Sequence, residues 1–149
     1  MNVKNLAAIV TGGGTGIGFA TAKLLKEEGA KVTILGRRKD VIEKAGQEIG
    51  ALAISCDISD EHSTEAAFKQ ANEANGSVRI LVNSAAVSPK NRPVVDDAGP
   101  VSLDWFTDLI AINLSGLFNT TRLAAAEMRV ATELDDESRG VIINISSVS

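Results

Sequence analysis

Apolar positions along this chain switch between short unbroken runs and longer stretches with helical spacing. Residues 6–10 form a continuous apolar run closed by Thr11 and a group of glycines, as in a strand buried on both faces. Residues 17–28 then carry Phe19, Ala20, Leu24 and Leu25 at helical spacing and stop at Gly29, a residue suited to ending a helix. A second strand is expected over 32–35. A helix capped by Asp40 comes next, runs to Ile49 and ends at Gly50.

The pattern repeats. Residues 52–55 read as a third strand, followed by a helix with Ala66, Ala67, Phe68 and Ala71 on its apolar side, capped by Ser59 or Asp60 and ending near Gly76. Residues 79–82 form a fourth strand. A long loop with Pro89, Pro93, Gly99 and Pro100 as breakers comes next. Helical spacing resumes near Ser102 and continues to about Glu133, with a kink expected at Asn113 and Gly116. In this stretch Trp105 and Phe106 are expected to pack the helix start, and Leu114, Leu117, Phe118, Thr121, Ala125 and Met128 to form a core-facing series. After the acidic stretch 133–138, residues 141–145 make a fifth strand.

Strand and helix thus alternate four times before a last strand, with no linker between. Such alternation specifies one α/β domain over 1–149: a doubly wound parallel sheet with helices on both faces, in three αβα layers. The sequence stops just past the fifth strand, where a covering helix is expected, so the domain is read as incomplete and truncated after that strand.

The composition, with 44% hydrophobic and 23% charged residues, is that of an ordinary globular protein. With a net charge of -4 and no basic run longer than Arg37-Arg38-Lys39, nucleic acid is an unexpected partner, because phosphate binding needs a clustered basic face. No apolar run approaches the ~18 residues of a membrane span. The single cysteine, Cys56, cannot pair internally, and the N-terminus leads directly into the first strand. A cytoplasmic protein is therefore expected. His62, in the first turn of an exposed helix, has no cysteine or histidine neighbour for a metal site.

The chemistry-bearing feature is Thr11-Gly12-Gly13-Gly14-Thr15-Gly16-Ile17-Gly18, between the first strand and first helix. Glycines there allow a tight turn and let bare backbone approach a pyrophosphate, while the helix start offers free N–H groups and a partial positive charge. The spacing is G-x-x-x-G-x-G, at Gly12, Gly16 and Gly18. The Gly-Lys-Ser/Thr of a P-loop is absent, which argues against nucleoside triphosphate hydrolysis.

At this point the chain resembles the short-chain dehydrogenase/reductase family, whose loop T-G-x-x-x-G-x-G is matched by Thr11–Gly18 at every defined position. Further segments match in the family's order. Cys56-Asp57-Ile58 resembles the step whose aspartate contacts adenine. Asn83-Ser84-Ala85-Ala86 resembles Asn-Asn-Ala-Gly, which supports the sheet and lines the cofactor cleft, with Ser84 and Ala86 departing from it. Asn113 falls at the family's catalytic asparagine, and Asn144-Ile145-Ser146-Ser147 resembles the strand-five motif whose second serine is catalytic. The resemblance implies a Rossmann fold and reversible hydride transfer between a nicotinamide dinucleotide and a small-molecule secondary alcohol or ketone. It implies Ser147 and Asn113 as catalytic, and Thr11, Gly12, Gly14, Thr15, Gly16, Ile17, Gly18, Asp57, Ile58, Asn83 and Ala85 around the cofactor. A homo-oligomer built partly on the long helix is implied as well. The stretch 122–128, the polar turn, the strand from Arg139 and the long loop after Asn83 are similar to type II 3-hydroxyacyl-CoA dehydrogenases, which implies a 3-hydroxyacyl-CoA or related alcohol.

An acidic residue about 20 positions past the glycine loop would hold the ribose 2′-hydroxyl of NAD. That place holds Gly36, followed by Arg37 and Arg38. Glycine leaves space and arginine clamps a phosphate, so NADP is expected, with NAD, favoured by the type II likeness, as the alternative. The family's proton donor is a tyrosine about a dozen residues beyond the serine. The 149 residues contain no tyrosine, so this polypeptide alone is expected to be inactive. Two other readings remain: a nucleotide-binding module without catalysis, and a methyltransferase, which the ordered serine and asparagine motifs disfavour.

Overall fold

The computed structural model describes residues 2–88 and 93–147; Pro89, expected as a loop breaker, lies outside them. The elements run β1 (Ala7–Thr11), α1 (Gly16–Glu27), β2 (Lys31–Gly36), α2 (Lys39–Ile49), β3 (Leu52–Ser55), α3 (Glu61–Asn75) and β4 (Val78–Asn83). A short ribbon of β5 (Val95–Asp96) and β6 (Gly99–Pro100) comes after them. Then come α4 (Leu103–Ile110), a wide π-helical turn (Ala111–Gly116), α5 (Leu117–Val130) and β7 (Val141–Asn144).

The five long strands form one sheet in the order β3-β2-β1-β4-β7, and every pairing is parallel. The chain winds outward from β1 to β3, then crosses back to β4 on the other side of β1. That reversal opens a crevice beyond the carboxyl ends of β1 and β4.

The unbroken apolar runs have the cause anticipated for them. Ala8 and Val10 of β1 join Ala22 of α1 and Ile42 and Ala45 of α2 on one face. Ile9 joins Phe68 and Ala71 of α3 and Ala124 and Met128 of α5 on the other. Side chains alternate across a strand, so a strand covered on both faces must be apolar at every position. The fold is the doubly wound three-layer Rossmann arrangement expected.

Several local expectations are corrected. Asp40 lies within the first turn of α2; its N-cap is Arg38, with no side-chain cap. Asp60 caps α3, accepting from Ser63 N at 2.6 Å, while Ser59 is tied to Asp57 instead. The long helix is interrupted by a full π-helical turn and ends at Val130, short of Glu133. The wide turn inserts a residue into the helical count and rotates the later residues by about 100°. Leu114 and Phe118 are consequently 59% and 65% exposed, and Ala125 also faces outward. α5 buries Asn119, Thr120, Ala124 and Met128 instead. Phe106 is half exposed rather than packed, and α4 buries no residue.

Candidate functional site

A cleft of 1120 Å³ opens at the carboxyl ends of the parallel strands. The turn after β1 forms its floor. Gly12 adopts φ +66°, and a Cβ there would stand 2.9 Å from the backbone of Ala85. Gly18, in the first turn of α1, packs so closely on the Gly12 carbonyl that any side chain would collide with it. Gly16 is required for conformation rather than space: its φ is +58°, and no atom lies within 4 Å of the Cβ position. Gly14 has Val41 at 3.1 Å from that position.

Thr11 sits beneath this turn, 1% exposed. Its hydroxyl accepts from Ser84 N and Ala85 N, both at 3.1 Å, which locks the glycine turn to the segment leaving β4. Asn83, also buried, spends its whole side chain on the scaffold. It donates to Asn144 Oδ1 at 2.9 Å and Thr121 Oγ1 at 3.1 Å, and accepts from Thr120 Oγ1 at 2.7 Å. The amide therefore ties β4 to β7 and α5 while the residue forms part of the cleft wall.

The side walls carry the remaining candidates. Past β3, Asp57 Oδ1 accepts from Ser59 N at 3.0 Å and Ser59 Oγ at 2.7 Å, and Ile58 is 5% exposed. Arg37 and Arg38 stand exposed at the end of β2, and neither guanidinium has a carboxylate partner among the described residues. Across the cleft, the Asn113 amide grips the backbone of Val87 twice. It accepts from Val87 N and donates to Val87 O, each at 2.8 Å. Ser147 lies on the wall beyond β7, beside Asn144, Ile145 and Ser146.

The fold thus brings Gly12, Gly14, Thr15, Ile17, Arg37, Arg38, Asp57, Ile58, Asn83, Ala85, Asn113 and Ser147 to one cleft. It leaves Thr11, Gly16 and Gly18 just behind its surface. Sequence reading passed over Val41, Val87 and Leu117, which also line it. No local motif marks these positions, because long-range packing alone brings them there. Cys56 is buried at the cleft's edge, and burial pushes its thiol above the usual cysteine range. Among the described residues no group of histidine, cysteine or carboxylate side chains is arranged to hold a metal ion. Nor is any helix among them long and apolar enough to cross a membrane.

Comparison with known proteins agrees with this geometry. The family described as short chain dehydrogenase matches residues 6–149. An NADP-dependent (R)-specific alcohol dehydrogenase of Lentilactobacillus kefiri is 38% identical over 98% of this chain and 56% of its own length. The type-2 3-hydroxyacyl-CoA dehydrogenase of Bos taurus is 34% identical over 99% of this chain and 58% of its own. An ipsdienol dehydrogenase of Ips pini is 31% identical over 100% of this chain and 59% of its own. The chain belongs to the short-chain dehydrogenase family. It spans a little over half the length of these relatives.

Proposed function

We propose that this chain is the dinucleotide-binding domain, over 1–149, of an oxidoreductase acting between NADP and a small secondary alcohol or ketone. One observation carries the reading: the glycine turn, the Asp57–Ile58 step, Asn113 and Ser147 all face a single cleft at the sheet's switch point. The cradle fits the cofactor. Its floor is backbone that admits no Cβ at Gly12, and a pyrophosphate needs that close approach, with the α1 N-terminus favouring its charge. Thr15, at the N-cap of α1, makes no side-chain cap bond, which leaves its hydroxyl for a phosphate oxygen.

When bound, the nicotinamide gives or accepts a hydride. The chain's own part is orientation and polarisation. Asp57 and Ile58 hold the adenine end, and Gly12, Gly14, Thr15 and Ile17 hold the phosphates. The Ser147 hydroxyl donates to the substrate's carbonyl oxygen, a kind of contact worth about 10²–10³ in rate. Asn113, fixed by its double bond to Val87, keeps the π-helical turn against this end of the cleft. No tyrosine occurs in these 149 residues, so proton delivery and the substrate pocket are assigned to residues outside them, and turnover by this polypeptide alone is not expected. A 3-hydroxyacyl-CoA is the substrate class favoured by the type-2 relative, and a simpler alcohol by the Lentilactobacillus one.

NADP is assigned over NAD on Gly36 with Arg37 and Arg38. A ribose 2′-phosphate would meet two cations without acidic partners among the described residues, and no carboxylate stands in their place. Titration of the full-length protein should give NADPH about tenfold tighter binding than NADH, with most of that margin lost in Arg37→Ala. A strong NADH preference that Arg37→Ala leaves unchanged defeats the coenzyme assignment.

A further inference from the structure

The Asp57–Ile58 step has no strand or helix of its own, yet Ile58 is nearly sealed from solvent while lining the cleft. Two sets of contacts hold it. From beneath, the start of α3 binds its backbone: Asp57 N donates to Ser63 Oγ at 3.1 Å, and the Thr64 hydroxyl points at the Asp57, Ile58 and Asp60 carbonyls. These contacts are local in sequence. The second set comes from α5, some sixty residues away. Asn119 Nδ2 donates to Ile58 O at 3.2 Å. Its Oδ1 accepts from Arg122 Nε at 2.9 Å, and Arg122 reaches on to Glu61 at 2.9 Å and Glu65 at 3.3 Å on α3. Gly116 closes the grip: a Cβ there would stand 2.7 Å from Ile58 Cγ1.

We infer that Asn119 is a positioning residue for the adenine end of the cofactor, with Arg122 as its brace. The inference rests on the cofactor reading. Asn119 is 9% exposed, does not line the cleft and can touch no ligand there. It acts only through the Ile58 carbonyl. Without it, that carbonyl loses its donor from α5, and the turn is left with its α3 contacts. Arg122 orients the amide. By accepting from Arg122 at Oδ1, Asn119 is left with its NH₂ group toward Ile58, the orientation in which it can donate. The two glutamates fix the guanidinium from the opposite side. This places α5 in control of a ligand contact made by a loop far from it in sequence.

The test separates the two halves of the cofactor in the full-length protein. ADP-ribose probes the adenine end, and reduced nicotinamide mononucleotide probes the other. In Asn119→Asp, an isosteric change, the donor is lost and an oxygen faces the Ile58 carbonyl. ADP-ribose affinity should fall about tenfold, while the mononucleotide's affinity stays within about twofold. Arg122→Ala should lower ADP-ribose affinity about threefold, and the double variant should be no weaker than Asn119→Asp alone, since both act through one contact. Equal losses for both probes would show general loosening of the fold and overturn the inference, as would unchanged ADP-ribose binding. Failure of the unaltered protein to bind ADP-ribose would remove the cofactor reading itself, and the positioning role with it.

Discussion

The two ends of the long cleft are built on opposite principles. At the glycine turn the ligand surface is main chain, pressed between α1 and the segment leaving β4, and β1 beneath it is at most 6% exposed. Along α4 and the start of α5 the surface is side chain and faces outward: Leu103, Phe106, Leu114 and Phe118 are 75%, 51%, 59% and 65% exposed. Where backbone makes the site, space and φ dictate the residue, and substitutions act on folding and ligand together. Where side chains project from a helix with no buried residue, the fold imposes little on their identity.

Three substitutions probe this contrast. The largest effect is expected from Gly18→Val, which drives a branched side chain into the Gly12 carbonyl. Chemical denaturation should show a loss of about 3 kcal/mol, with nucleotide binding abolished in whatever remains folded. A Gly18→Val protein of native stability would refute the close packing assigned to the turn. Next comes Asn83→Leu, which is similar in size but strands the Asn144, Thr120 and Thr121 partners. It should cost about 2 kcal/mol in the same measurement. Phe118→Ser should change stability by no more than about 0.5 kcal/mol. A loss as large as that of Asn83→Leu would mean that this face is covered in solution, and the difference between the two ends would shrink accordingly.

How far the sequence reveals this architecture obeys the same division. Strand runs, glycine stops and the Thr11–Gly18 turn are legible because each is a local rule of backbone geometry, and β3 falls on residues 52–55 as read. The phase of the long helix is not, because a one-residue widening at Ala111–Gly116 leaves no compositional mark beyond Asn113 and Gly116. Helical spacing carried straight through that turn puts Leu114 and Phe118 inside and misses Asn119. Asn83 is legible as a wall of the cleft, but not as a knot among β4, β7 and α5. Its partners are residues 120, 121 and 144, and no short window of sequence contains them.

Gly36 carries a consequence for how coenzyme choice can change in this lineage. A Cβ at position 36 would lie 3.2 Å from the terminal methyl of Ile42, itself 1% exposed. The carboxylate that would welcome an unphosphorylated ribose therefore cannot be introduced cleanly by one mutation. Ile42→Val removes the obstructing methyl at a cost of about 1 kcal/mol and, taken first, opens the way for Gly36→Asp. A helix residue that touches no phosphate thus acts as a ratchet on the redox currency the protein can use.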